Sequence, residues 1–226
     1  MYSIEEDPEL PLIIVRNMLP QAVVEEILDE IASIQQHFGK PTWSDAGKDV
    51  SGASHAHTLC NGLDVWLPQS NISTPVLLRK FPEFLFHQGI LEFFGGCRSD
   101  SFIPIPLMHK DGRIHVINYT NGGYYNWHKD IELGRGGQSY LVHTTFALSL
   151  ARESPQFEGG ESMYMYRNKV RTFPFTNNQL LIFPSHVTHA ASEVKMDPEG
   201  SFMDGRFNIQ FWLTGGLANW SKVQPN

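Results

Sequence analysis

His128 and Asp130 stand one residue apart in the stretch Tyr119-Thr-Asn-Gly-Gly-Tyr-Tyr-Asn-Trp-His-Lys-Asp130. On a strand, alternation turns these two side chains to one face and sends Trp127 and Lys129 to the other. A neutral imidazole beside a carboxylate makes two of the three ligands of the facial triad that holds non-haem Fe(II) with open coordination positions. By itself the pair is a weak signal. The chain carries 10 His and 24 acidic residues, and an ordinary polar strand end reads the same way.

A third ligand must come from elsewhere. The stretch Gln179-Leu-Leu-Ile-Phe-Pro-Ser-His-Val-Thr-His189 is an apolar run, a Phe-Pro-Ser turn and a second His-bearing strand. His186 and His189 both compete for the position. His186 sits beside the turn, and placement within the strand favours His189. Either one is too far along the chain from His128 for a local clip, so the fold must assemble the site. Farther on, Gly205-Arg206-Phe-Asn-Ile-Gln-Phe-Trp212 alternates, putting Arg206, Asn208, Gln210 and Trp212 on one face. A buried guanidinium is costly unless it meets an anion, and its planar fork suits a carboxylate. An exposed edge-strand Arg would give the same pattern.

The elements that must position these residues follow from periodicity. Residues 1–11 are acidic and give no structural signal, and Leu12–Val15 is a short β-prone run. A helix opens at Leu19-Pro20, with Val24, Ile27, Leu28, Ile31 and Ile34 on one stripe. From Gly39 to Ser73 the chain reads as a long polar loop containing His55, His57 and Asp64, a plausible substrate rim. A second helix is capped by Ser73 or Thr74 and closed by Gly95-Gly96. After it the period changes to two. Strands are predicted near 102–108, 113–119, 123–130, 142–150, 161–167, 170–174, 179–184, 187–194 and 205–214. The expected fold is α+β, a β-sandwich or barrel core with N-terminal supporting helices. A single domain over 1–226 is expected, with the core at about 102–214 and a helical scaffold at about 12–96.

At 226 residues, with 41% hydrophobic and 18% charged residues, the chain can bury one sizeable core. A formal charge of -7 argues against a nucleic-acid binder, which needs a basic face for phosphates. No export signal or apolar run of membrane-spanning length is present, so the expectation is a cytoplasmic protein with no membrane partner. Two cysteines, Cys60 and Cys97, are too few for a disulfide framework or a Cys-based zinc site.

Taken in order, Tyr119, Gly122-Gly123, His128-Lys-Asp130, Phe157-Glu-Gly-Gly-Glu161, Phe183-Pro-Ser with His189, and Arg206 resemble the iron- and 2-oxoglutarate-dependent dioxygenases, closest to the prolyl-4-hydroxylase-like branch. The resemblance covers roughly residues 113–214. It implies a double-stranded β-helix (jelly-roll) core in which His128, Asp130 and His189 bind Fe(II). It implies too that Arg206 pairs with the far carboxylate of 2-oxoglutarate, that Tyr119 lines the cosubstrate pocket, and that Gly159-Gly160-Glu161 is structural. The implied activity is hydroxylation of a small-molecule or peptide substrate with O2, coupled to decarboxylation of 2-oxoglutarate to succinate. Prolyl residues and free amino acids are both candidate substrates, and the loop Ile131–Tyr140 is a candidate lid. Two departures stand out. The interval from His189 to Arg206 is long, as though Lys195–Asp204 were an extended hairpin loop. The last strand also partly matches the nucleic-acid-demethylating branch, which has a second Arg where Trp212 stands here. A β-sandwich binding module without turnover is the alternative from another class, and a cupin-like metalloenzyme using His ligands and no 2-oxoglutarate is a second.

Overall fold

The computed structural model describes residues 2–39, 60–66, 113–130 and 140–216. The predicted second helix, the strand near 102–108, His55, His57 and all but the last residue of the loop Ile131–Tyr140 lie outside the described residues.

A seven-stranded antiparallel sheet forms one layer. Its strands are β1 (Ser3–Glu6), β2 (Ile13–Arg16), β3 (Asn61–Trp66), β4 (Arg113–Tyr119), β6 (Tyr140–Leu150), β10 (Gln179–Pro184) and β13 (Arg206–Gly216), in the order β1-β2-β10-β6-β13-β4-β3. A four-stranded antiparallel sheet forms the other. It contains β5 (Tyr125–His128), β8 (Ser162–Tyr166), β9 (Lys169–Phe173) and β11 (Thr188–Ala191), ordered β5-β11-β8-β9. A short pair, β7 (Phe157–Gly159) with β12 (Val194–Met196), stands beside them. This is the jelly-roll arrangement, and it has one supporting helix among the described residues, α1 (Gln21–Ser33).

The large sheet is buried on both faces, which explains why its strands read as nearly continuous apolar runs; all six residues of β10 are buried. Its outer face, with Ile13, Val15, Ile114, Val116, Phe146, Leu148, Leu150, Leu180, Ile182, Phe207 and Ile209, packs on the α1 stripe Val24, Ile27, Leu28, Ile31 and Ile34. Each such side chain removed from water contributes on the order of 1.5–3 kcal/mol. The helix starts where Pro20 requires, since its carbonyl accepts the first amides from Val23 and Val24. Asn178, at φ 58, fixes the helix entry by bonding both the N–H and the C=O of Leu19.

The inner face alternates with the outer one. Leu12, Ile14, Ala147, Leu181 and Phe183 meet Tyr164 of the small sheet, and this contact closes the two sheets on each other. Near the other end of the sandwich the inner residues turn polar: Arg206, Asn208 and Gln210 on β13 and Thr145 and Ser149 on β6 are all buried. Polar groups in this position need partners, and they mark the interior as a site.

Three local expectations are corrected. The acidic N-terminus carries β1, an edge strand whose residues are mostly exposed; its ladder to β2 is backbone bonding, so composition gave no signal. The polar stretch 39–73 contains β3, which edges the sheet beside β4. The run 187–194 is two strands, β11 and β12, in different sheets. The break between them falls where Ser192 leaves the ladder and its N–H bonds the Glu161 carbonyl. The extended loop expected over Lys195–Asp204 accordingly begins as strand β12. It ends in a 3-10 turn, Phe202–Asp204, closed by a Ser201–Asp204 capping box.

Candidate active site

His128 closes β5, and its direct cross-strand neighbour on β11 is His189. The two rings lie 4.1 Å apart between centroids. Asp130 sits beyond the end of β5, so strand alternation does not aim it; the bond from its N–H to the Ser185 carbonyl, 3.0 Å, turns it inward. Its Oδ1 lies 3.4 Å from His128 Nε2 and its Oδ2 lies 3.5 Å from His189 Nε2. One ligand atom from each of the three residues falls within 4.8 Å of the other two.

The protonation pattern is fixed by the surroundings. His128 Nδ1 is 2.8 Å from the Asn126 carbonyl and His189 Nδ1 is 3.0 Å from that of Val187. A carbonyl only accepts, so each Nδ1 carries a hydrogen, and the Nε2 atoms are the ring nitrogens that face Asp130. Burial, helped by the field of His128, pushes the His189 imidazole down to about 4, so it is neutral near pH 7. Burial alone would raise the Asp130 carboxyl. The neighbouring His189 and His128 imidazoles, with the hydrogen bond from Thr145, outweigh it and hold Asp130 well below the usual carboxylate range. Two imidazole Nε2 atoms and a carboxylate thus converge in a buried space, where Asp130 is 10% exposed and His189 Nε2 has no hydrogen-bond partner. Such a donor set fits a divalent cation.

From the large sheet Arg206, 2% exposed, enters the same interior. Its Nη2 reaches Ser149 Oγ at 3.3 Å and Ser162 Oγ at 3.2 Å, and its Cζ lies 5.0 Å from the centre of the Tyr119 ring. Tyr119 is its register partner across β4 and β13, fully buried, with its hydroxyl pushed up by burial. Arg206 Nε and Nη1 have no partner. Two buried N–H donors of one guanidinium left unpaired are a fork waiting for an acidic ligand.

A family model described as the 2OG-Fe(II) oxygenase superfamily matches residues 114–214. Residues 114–214 form a 2OG-Fe(II) oxygenase domain. That domain is of the 2-oxoglutarate-dependent dioxygenase kind, whose cofactors are Fe(II) and 2-oxoglutarate and whose oxidant is O2. No curated protein matches the chain. Its fold is prolyl-4-hydroxylase-like and is shared with several solved structures. A prolyl hydroxylase from Trichoplax adhaerens, in complex with a hypoxia inducible factor oxygen degradation domain peptide, is 16% identical at a TM-score of 0.59, covering 96% of this chain and 89% of that one. OsALKBH1 is 17% identical at 0.58, covering 92% and 100%. A Pseudomonas putida prolyl-4-hydroxylase is 14% identical at 0.56, covering 91% and 92%.

Within the oxygenase domain, the structure gathers His128, Asp130 and His189 in one cluster and Tyr119 with Arg206 in another, both inside the space between the two sheets. It keeps His186 out: that residue is exposed on the turn after β10, near Tyr166, and turns away from the cluster. The Gly-Gly-Glu turn is more than a strand end. Gly159 and Gly160 both have positive φ, and a Cβ on Gly160 would stand 2.9 Å from Arg206 Cδ and 3.0 Å from Val194 Cγ2. Glu161 is braced by Ser192, whose hydroxyl donates to its carboxylate while accepting the Glu161 N–H. Gly160→Ala is expected to displace the guanidinium and to weaken 2-oxoglutarate binding about tenfold, with metal binding retained. A left-handed Ala also costs about 1–2 kcal/mol of stability. Calorimetric titration with 2-oxoglutarate and a melting curve read the two effects separately.

Sequence reasoning missed Thr145, Ser185, Ser149 and Ser162, which contact the site residues. All are small hydroxyl residues inside strands or turns, and nothing in their spacing distinguishes them from ordinary strand content.

Proposed function

We propose that the protein hydroxylates a C–H bond of a small-molecule or peptide substrate, with His128, Asp130 and His189 as the metal ligands and Arg206 and Tyr119 as the cosubstrate anchor. The observation that carries this reading is the meeting of two complementary groups in one interior: a His-Asp-His cluster whose Asp130 is held ionised, and a buried Arg206 guanidinium with Nε and Nη1 unpaired. Fe(II) and 2-oxoglutarate have the complementary charges.

His128 and His189 are held in place by their backbone-bonded Nδ1–H groups, which leaves their Nε2 atoms to the metal, and Asp130 contributes the charge. Arg206 offers Nε and Nη1 to the far carboxylate of 2-oxoglutarate, and Tyr119 forms one wall under the guanidinium. The apolar packing of Tyr164, Phe183 and Val187 beside His189 keeps water from that side of the cluster. When bound, Fe(II) with 2-oxoglutarate and O2 supplies the oxidation: 2-oxoglutarate becomes succinate and CO2, and one oxygen atom enters the substrate C–H bond. The protein's part is orientation and exclusion of water. A peptide in the Trichoplax adhaerens structure and the prolyl-4-hydroxylase-like fold support a prolyl or other peptidyl substrate.

The test has two stages. Under anaerobic conditions, Fe(II) followed by 2-oxoglutarate should generate a metal-to-ligand charge-transfer band and raise the melting temperature; a ligand at a hundred times its Kd adds about 2.7 kcal/mol. Aerobic incubation with prolyl peptides and free amino acids should then yield succinate in step with product. A protein that shows neither the band nor the thermal shift does not have this function.

A further inference from the structure

We infer that Trp212, Thr145 and Ser185 are positioning residues that occupy one oxygen of Asp130 and leave the other for the metal. The inference rests on the reading of Asp130 as a ligand and extends it to three residues outside the triad. Thr145 Oγ1 donates to Asp130 Oδ2 at 2.7 Å, and Trp212 Nε1 donates to the same oxygen at 3.1 Å. The carboxylate only accepts, so the Thr145 hydrogen points to Asp130. The contact of 3.2 Å between Thr145 and Ser185 hydroxyls is then donated by Ser185. The result is a directed chain, Ser185 to Thr145 to Asp130, in which each bond polarises the next. Thr145 and Ser185 are fully buried and Trp212 is 9% exposed, so no solvent competes for these bonds.

The donors come from the opposite sheet. Thr145 and Trp212 are register partners on β6 and β13, whereas the imidazoles are on β5 and β11. The large sheet therefore holds the carboxylate against ligands carried by the small one. The Trp212 ring is pinned edge-on by His115, 4.3 Å between centroids. Oδ1 receives no bond from any of these donors. With Oδ2 engaged twice, Asp130 is held from rotating and presents a single oxygen to the cation, which keeps the remaining coordination positions for the cosubstrate and O2.

The experiment uses the full metal-free chain titrated with Co(II), read by its visible ligand-field absorption, and with Mn(II), read by thermal shift. Trp212→Phe keeps a ring against His115 but removes the donor; Thr145→Val keeps the shape but removes the hydroxyl. Each is expected to weaken metal binding about tenfold or more and to alter the Co(II) band shape, which a merely structural role would not change in the folded fraction. Thr145→Ser should restore wild-type affinity, and Ser185→Ala should give a smaller loss. Wild-type affinity and spectrum in both Trp212→Phe and Thr145→Val overturn the inference, as does a Thr145→Ser protein no better than Thr145→Val. A wild-type chain that binds neither ion refutes the ligand role of Asp130 itself, and the positioning role with it.

Discussion

Arg206→Ala is expected to reduce 2-oxoglutarate affinity by roughly ten- to a hundredfold while leaving metal affinity intact. A charge-assisted hydrogen bond contributes about 1.5–3 kcal/mol, and each 1.4 kcal/mol is tenfold in Kd. Arg206 is suited to an effect of this size because it is buried, already anchored by Ser149 and Ser162 through Nη2, and left with two unpaired donors. The ordering cost of the fork has been met before the ligand arrives. Arg206→Lys retains a charge but cannot reproduce two donors in a plane, so it should lie nearer to Ala than to wild type. Arg206→Met, of similar length, should bind metal normally and cosubstrate poorly, which separates the loss of charge from the loss of volume. The measurement is an anaerobic 2-oxoglutarate titration of the charge-transfer band. An Arg206→Ala protein that titrates like the parent would remove Arg206 from the cosubstrate site.

The second large effect concerns the cluster. His128→Ala, Asp130→Ala and His189→Ala should each abolish iron-dependent turnover and metal-induced thermal stabilisation, while the metal-free proteins stay folded. The core between α1 and the large sheet does not include these side chains, so the main support of the fold survives their loss. Truncating Asp130 removes the shared acceptor of Thr145 and Trp212, so the metal-free Asp130→Ala protein should lose about 1–3 kcal/mol of stability and still fold. His186→Ala is the matched control from the same turn and should bind metal like wild type. A dead His186→Ala beside an active His189→Ala would reverse the assignment; inductively coupled plasma analysis and succinate assays on the same preparations decide it.

Much of this was already legible in the chain. Period-3.6 spacing marked α1 and its buried stripe, and period-2 spacing marked the inner face of β13, from Arg206 to Trp212. These patterns are local, because the side of an element that meets the core is set by its own geometry. The triad residues were identifiable by type and order, and strand placement favoured His189 over His186, although three residues of spacing beside a turn carry little direction. The tertiary structure separated them by pairing His189 directly opposite His128 and leaving His186 in solvent. The edge strands β1 and β3 were hidden for a related reason: an edge is held by the neighbouring backbone, which composition does not record. Least visible were the donors to Asp130. A Thr in the middle of β6 and its register partner Trp212 on β13 reach Asp130 only when the two sheets close over each other, and that is a property of the packing.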